Sequence, residues 1–119
     1  MMMVRSATTA VAAILLMVSA ARAGDPVGAY KVEGRNPDKS SYSGTATVEK
    51  TGETYKVTWD IGGAVYVGTG IGDKNFLAVS YKSAGQAGLA LYGEEGENWA
   101  GVWTYHNSRK VGAEKWTRQ

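Results

Sequence analysis

Apolar and polar residues alternate along most of the chain after residue 26, and turn residues interrupt the alternation about every eleven positions. The clearest example is segment 53–61, where Tyr55, Val57 and Trp59 share one face and polar residues occupy the other. An alternation of period two is typical of a β-strand with one buried face, and no segment of residues 24–119 has the apolar spacing of an amphipathic helix. The pattern predicts eight strands, at about 27–34, 41–50, 53–61, 64–71, 75–81, 87–93, 98–105 and 111–117.

Short turns between these segments predict that consecutive strands pair in an antiparallel meander. Thr51-Gly52 and Gly62-Gly63 are predicted two-residue hairpin turns, because glycine tolerates the positive φ that such turns require. An open meander would expose two strand edges, and closure into a barrel removes both. The sequence therefore predicts an all-β fold, an antiparallel up-and-down meander of about eight strands that forms a closed or nearly closed small barrel. A sandwich of two sheets is the alternative. Curvature is indicated by the mid-strand glycines Gly44, Gly68, Gly70, Gly88 and Gly101.

The first 23 residues have the three-part layout of a secretory signal peptide. A short start ending in Arg5 precedes an apolar run over residues 10–21, and Ala21-Arg22-Ala23 supplies the small residues that a signal peptidase reads. The alternative is a retained membrane anchor, but this run is shorter than the roughly 20 residues that span a bilayer. We predict cleavage after Ala23, which leaves a single domain over residues 24–119 with no membrane span, exported to the periplasm or secreted.

Loss of the leader changes the charge balance, because it removes Arg5 and Arg22 and no acid. Thirteen basic residues become eleven, which equals the eleven acidic residues, so the domain is formally neutral. Sequence-independent nucleic-acid binding needs a dense basic surface, so no nucleic-acid partner is expected. The chain has no cysteine, which excludes thiol catalysis and cysteine-ligated metals.

Three segments contain residue types that occur in catalytic, metal-binding or phosphate-binding sites, but they lack the residue spacing of such sites. His106 is the sole histidine, begins a polar loop and is accompanied by no Gly-x-Ser-x-Gly nucleophile motif. The acidic run at Glu94, Glu95 and Glu97 lacks the pattern of a calcium loop and is expected to form a solvated turn. The glycine-rich run 68–72 lacks the spacing of a phosphate-binding loop. We predict no catalytic residue, no metal site and no cofactor.

Inward-facing aromatic residues form the candidate binding surface. Glu114 shares the predicted face of Trp116, so its carboxylate is expected inside the barrel, where a Tyr hydroxyl, an indole N–H or an Arg would satisfy it. An eight-stranded barrel has room for side chains or for one small ligand. These residues therefore form either a packed core, which the small size of the domain favours, or the lining of a cavity. The candidate ligand-binding residues are Tyr42, Tyr55, Trp59, Trp99, Trp103, Glu114 and Trp116.

Strand aromatics and turn glycines recur through most of the domain, as in Gly28-Ala29-Tyr30, Tyr42-Ser43-Gly44, Tyr55-Lys56-Val57-Thr58-Trp59, Gly101-Val102-Trp103 and Gly112-Ala113-Glu114. In these motifs the chain resembles a group of small exported bacterial β proteins of unknown function, some of them loosely labelled fibronectin-binding. The resemblance implies a calycin-like small barrel and export, and it carries over no catalytic residue.

The sequence favours a non-enzymatic exported protein that binds a small apolar or amphipathic ligand. The alternative is a cell-surface or periplasmic protein-interaction module, adhesin-like or an enzyme inhibitor, with a packed core and contacts through the loops around 35–40, 82–86 and 106–110. A hydrolase is the third hypothesis, and it would require a second interior acid beside Glu114 or a base beside a nucleophile. Asp60 alternates onto the face opposite Trp59, so it does not supply that acid.

Overall fold

A computed structural model describes residues 24–119, which form eight strands and no helix. The predicted signal peptide at 1–23 lies outside the described residues. The strands are β1 (Gly28–Arg35), β2 (Ser41–Thr51), β3 (Thr54–Ile61), β4 (Ala64–Gly72), β5 (Phe76–Ser83), β6 (Gln86–Glu95), β7 (Asn98–Tyr105) and β8 (Gly112–Arg118). Every predicted strand is present, with ends within two residues of the predicted ones. Within residues 24–119, no helix is long and apolar enough to span a membrane.

The strands pair in chain order, and β1 also pairs with β8, which closes the sheet into a barrel. All pairs are antiparallel. The predicted closed meander is confirmed, and the sandwich alternative is wrong. Closure satisfies the backbone groups that a free edge would leave exposed.

Two hairpin turns illustrate how far local sequence specifies the connections. Gly62-Gly63 joins β3 to β4 as predicted, and both glycines have positive φ, at 60° and 87°. The first turn is Gly52-Glu53 and not Thr51-Gly52, because Thr51 pairs with Thr54 in the ladder. The hydroxyls of Thr51 and Thr54 lie 2.9 Å apart and form a hydrogen bond across the strand ends.

The two ends of the barrel differ in packing. We call the end formed by the β1–β2, β3–β4, β5–β6 and β7–β8 connections the open end, and the opposite end the closed end. Residues 24–27 cover the closed end, where Pro26 is fully buried and its carbonyl accepts a 2.7 Å hydrogen bond from the Tyr30 hydroxyl. The Arg118 guanidinium lies 4.8 Å from the centre of the Tyr30 ring and donates to the carbonyls of Asp25 and Val27. This half of the interior is packed.

The packed half contains the largest buried side chains of the domain. Trp116 is central, with ring centres 4.2 Å from Tyr92 and 5.2 Å from Tyr30. Such aromatic pairs contribute roughly 0.5–1.5 kcal/mol beyond the burial of their area. The side chains that fill this half are mostly aromatic or branched: Tyr30, Val32, Val48, Tyr55, Val57, Leu77, Val79, Trp99 and Trp116.

The outer surface has a polar half, on β1 to β3, and a second half in which one apolar row runs among polar residues such as Thr69, Lys82 and Lys115. Charged and hydroxyl side chains alternate outward along β1, β2 and β3, for example Lys31, Thr47 and Asp60. Strands β4 to β8 instead carry one apolar row across five strands, because the register aligns Ile71, Ala78, Leu91, Val102 and Ala113. Of these, Ile71 is 60% exposed and Leu91 is 54% exposed. We call this row the apolar face.

Candidate functional site

The barrel interior is hollow at the open end, where a cavity of about 280 Å³ lies above the packed half. The wall residues Tyr66, Trp103 and Tyr105 are partly exposed, so the cavity meets solvent. Seven of its ten lining residues are aromatic and one is acidic. The lining consists of Asn36, Tyr42, Trp59, Ile61, Tyr66, Tyr81, Tyr92, Trp103, Tyr105 and Glu114.

Glu114 accepts four hydrogen bonds inside the barrel. Its Oε1 atom accepts from the Tyr92 hydroxyl at 2.7 Å, from the Trp116 indole at 2.9 Å and from the Trp59 indole at 3.2 Å. Its Oε2 atom accepts from the Tyr42 hydroxyl at 2.6 Å. The partners are the Tyr and Trp donors that the sequence led us to expect. An ionised carboxylate offers only acceptor positions, so four neutral donors match the ionised form.

The Glu114 network joins the packed half to the cavity. Trp116 and Tyr92 are almost completely buried, whereas Tyr42 and Glu114 are partly exposed. Each donor comes from a different strand: Tyr42 from β2, Trp59 from β3, Tyr92 from β6 and Trp116 from β8. One carboxylate therefore links four of the eight strands across the interior. Such a network holds the aromatic rings in place, because a ring that moved would lose its hydrogen bond to Glu114.

The phenol groups around Glu114 have perturbed acidity. Burial raises the pKa of Tyr92 well above 10.0, and the negative charge of Glu114 and the hydrogen bond to it raise the pKa further. Burial is also the largest cause of the raised pKa of Tyr42, followed by the same charge and hydrogen bond, while the nearby Trp103 indole opposes the rise. The pKa of Tyr81 is raised by burial first and then by its neighbours Tyr105 and Glu114. These tyrosines are hydrogen-bond donors at neutral pH.

Aromatic rings also contact one another around the cavity. Trp59 lies 5.5 Å from Tyr81, Tyr81 lies 6.0 Å from Tyr105, and Tyr105 lies 5.7 Å from Trp103, all measured between ring centres. Each contact is edge-to-face, a favoured geometry for aromatic pairs. The wall of the cavity is therefore built of mutually supporting rings, and we expect it to keep its shape without a ligand.

Two buried indole N–H groups form no hydrogen bond of ordinary geometry within residues 24–119, those of Trp99 and Trp103. Trp99 belongs to the packed half. Trp103 lines the cavity with its ring, while its indole nitrogen is buried.

Glycines on neighbouring strands make room for the aromatic rings of the wall. A Cβ atom at Gly34 would lie 2.0 Å from the Tyr42 ring, one at Gly88 would lie 2.2 Å from the Tyr81 ring, and one at Gly112 would lie 2.3 Å from the Trp103 ring. Each glycine is the direct register partner of the aromatic residue that covers it. The rings can therefore lie flat against the sheet, which leaves the centre of the barrel empty.

Replacing Gly88 with Ala is expected to displace the Tyr81 ring into the cavity. The added methyl group overpacks the wall, and overpacking costs about 1–3 kcal/mol of unfolding free energy. Urea unfolding of Gly88→Ala and Gly93→Ala measures the effect. Gly93 is the matched control in the same strand, since a Cβ there meets no atom within 4 Å. Equal midpoints for the two variants would contradict this account of the wall.

The structure separates the seven candidate binding residues into two groups. Tyr42, Trp59, Trp103 and Glu114 line the cavity. Tyr55, Trp99 and Trp116 face the interior but belong to the packed core. The interior is hollow in one half and packed in the other, so neither of the two alternatives drawn from the sequence describes the whole barrel.

Four tyrosines that line the cavity were not among the seven candidate ligand-binding residues: Tyr66, Tyr81, Tyr92 and Tyr105. All four lie on the inward alternation of their strands. The position of a residue within its strand also indicates its depth in the barrel, because successive strands of a meander run in opposite directions. Residues late in odd-numbered strands or early in even-numbered strands approach the open end, and Tyr105 and Tyr66 satisfy this rule.

The other polar features of the sequence lie outside the cavity. His106 is exposed in the β7–β8 connection, and Glu97 lies in the exposed β6–β7 turn. Within residues 24–119, no three His, Cys, Asp or Glu side chains are grouped so that they could hold a metal ion. Asp60 is exposed and accepts a 3.1 Å hydrogen bond from the Gly63 backbone N–H. Glu114 is thus the one acidic side chain among the described residues that line the cavity.

Comparison with known proteins adds no assignment to this geometry. The chain matches no known protein family and no curated protein sequence.

Proposed function

We propose that this protein is a non-enzymatic exported binding protein that takes a small amphipathic ligand into the aromatic cavity at the open end. The observation that carries the proposal is the 280 Å³ cavity, whose wall is mostly aromatic and whose inner end holds a single hydrogen-bonded carboxylate. Ligand sites are typically concave and largely apolar, with a few convergent polar groups that orient the ligand.

The glycine–aromatic pairs give the proposal a second support. A domain of this size gains stability when its interior is filled, because voids forfeit packing contacts. Here Gly34, Gly88 and Gly112 let the rings of the open end lie against the wall, where a Cβ atom would force them toward the centre of the barrel. A hollow half is therefore a costly feature of the interior, and ligand binding would explain it.

The test is native mass spectrometry of the protein recovered from its own cell envelope, followed by titration with the fluorescent apolar probe N-phenyl-1-naphthylamine. The proposal expects a polypeptide mass equal to residues 24–119, additional mass that is released on denaturation, and saturable probe binding. Trp103→Ala should weaken probe binding. Val102→Ala should not, because Val102 is the outward-facing neighbour and is 46% exposed. A bare polypeptide that also fails to bind the probe would contradict the binding function, and an uncleaved leader would contradict export.

A second candidate function, protein–protein association, is favoured by the apolar face. Large apolar side chains that are exposed next to one another are typical of an interaction site, and Ile71, Leu91 and Val102 are 60%, 54% and 46% exposed. The closed barrel leaves no strand edge free, so a partner at the apolar face would pack on the face and not add a strand to the sheet. The row carries no charge, so a second copy of this chain could pack against it across a two-fold axis without like-charge repulsion.

Sedimentation velocity over a range of concentrations tests this second candidate. The wild-type domain is expected to dimerise, and Leu91→Glu to remain monomeric because it places a charge in the centre of the face. Thr47→Glu on the polar half is the matched control and should dimerise like the wild type. A wild-type protein that stays monomeric at all concentrations would exclude the second copy as the partner of this face.

A further inference from the structure

The charge of Glu114 is not neutralised by any partner that it contacts. Its four hydrogen-bond donors are uncharged Tyr and Trp side chains. Among the described residues that line the cavity there is no Lys, Arg or His. The donors satisfy the oxygen atoms, but the cavity keeps a formal negative charge at its inner end, and a charge held away from water is stabilised by an opposite charge.

The hydrogen bonds on Glu114 are unevenly divided. Oε1 accepts three donors, whereas Oε2 accepts only the Tyr42 hydroxyl. A carboxylate oxygen offers about two lone-pair positions. Oε2 therefore retains an acceptor position, and Glu114 itself is one of the residues that line the cavity.

The aromatic wall favours positive charge independently of Glu114. The face of an aromatic ring carries the negative part of its quadrupole and attracts a cation within about 6 Å of the ring centre. Trp59, Tyr81, Trp103 and Tyr105 form a connected group of rings around the cavity. Indole is the most effective ring for this interaction, and two indoles are present. An anionic ligand would meet the carboxylate without a counter-charge.

Basic side chains near the open end are exposed: Lys39, Arg109 and Lys110 lie in the connections, and Arg35 and Lys82 lie at strand ends. Solvent and salt screen exposed charges at distances beyond about 8–10 Å. These basic side chains do not line the cavity. The charge preference at its inner end is therefore set by Glu114 and the rings.

We propose that the cavity binds the ammonium head of a small organic cation, with Glu114 as the counter-charge and the Trp and Tyr rings as the enclosing wall. This inference rests on the ligand-binding function proposed above and specifies its chemical class. A quaternary head such as trimethylammonium would contact ring faces alone. A primary alkylammonium would in addition donate a hydrogen bond to Oε2 of Glu114.

Calorimetric titration of the domain with choline, n-butylammonium and the uncharged choline isostere 3,3-dimethylbutan-1-ol tests the proposal. We expect choline to bind at least tenfold more tightly than the isostere. Glu114→Gln should weaken choline binding at least tenfold and leave binding of the isostere unchanged. If n-butylammonium binds more tightly than choline, a primary amine is the ligand type, and the reverse order indicates a quaternary amine; either order supports an organic cation.

Trp103→Leu provides a second variant in case Glu114→Gln does not fold. Trp103 donates no hydrogen bond to Glu114, so the network should remain intact while one ring of the wall is lost. This variant should weaken choline binding severalfold more than it weakens binding of the isostere. Equal affinities of the wild type for choline and the isostere would overturn the cation proposal. Probe binding without ammonium binding would do the same and leave the ligand-binding function standing, whereas no binding of any compound would overturn both.

Discussion

Replacing Glu114 with Ala is expected to lower the free energy of unfolding by about 3–6 kcal/mol, because two or three buried donors lose their acceptor at roughly 1–3 kcal/mol each. Trp116 and Tyr92 are 0% and 1% exposed, so their donors depend on the acceptor that Glu114 brings into the interior. Trp59 is 4% exposed and also loses its partner. Small domains have a total stability of about 5–15 kcal/mol, so this variant should be close to unfolding at physiological temperature.

Glu114→Gln is expected to cost less than Glu114→Ala. The amide oxygen can take the place of Oε1 and keep three donors, while the Tyr42 hydroxyl rotates to accept from the amide nitrogen. Urea unfolding followed by circular dichroism gives both values. Glu33→Ala is the matched control, because it removes an exposed carboxylate from an adjacent strand and should change stability by less than about 0.5 kcal/mol. Similar small losses for Glu114→Ala and Glu33→Ala would show that the network does not stabilise the fold.

Alkaline conditions are expected to destabilise the domain steeply once the pH passes 10. Burial, with the charge of Glu114 as a further cause, raises the pKa of Tyr92 above its ordinary value of 10.0, so the folded state keeps this phenol protonated where the unfolded chain ionises it. The folded state then holds more protons, and the free energy of unfolding falls as pH rises. Below about pH 9 the contribution is fully present, since both states are protonated.

Above pH 10, each tyrosine that stays protonated in the folded state is expected to lower the free energy of unfolding by about 1.4 kcal/mol per pH unit. Tyr92 should approach this slope, whereas Tyr42 and Tyr81 are less deeply buried and should add less because solvent screens them. Urea unfolding of the wild type and of Tyr92→Phe between about pH 8 and pH 11 isolates the effect, because lysine ionisation is common to both proteins. The stability advantage of the wild type should shrink above pH 10, and parallel curves for the two proteins would contradict the prediction.

Much of the fold follows from local pattern in this chain. The alternation in β3 places Tyr55, Val57 and Trp59 inside and Asp60 outside, as the sequence predicted. Short turns with glycine specify antiparallel neighbours, and the penalty for exposed edges favours closure. The one-residue error at Gly52 arose because the ladder continues through Thr51 and Thr54, whose hydroxyl pairing is not a turn signal.

The candidate site was only partly predictable. Glu114 was expected inside the barrel because it shares the face of Trp116, and the structure adds that one carboxylate accepts from four strands. Tyr55 and Trp99 have the same inward pattern as Tyr42 and Trp103, yet they lie in the packed half. Alternation reports which face a residue occupies, whereas its depth in the barrel depends on its position within the strand.

The sequence by itself determined the strand content, the chain-order pairing and the inward set of residues, because each depends on a period of two and on turn chemistry within a few residues. Only the tertiary structure decided that the open end is hollow, that rings cover glycines of the next strand, and that Ile71, Leu91 and Val102 align into one apolar row. These features depend on register and on the stagger of the closed sheet. A shift of two residues in the register of a strand would keep every side chain on its face but change all of its cross-strand neighbours. Alternation alone therefore does not specify which side chains meet across the strands.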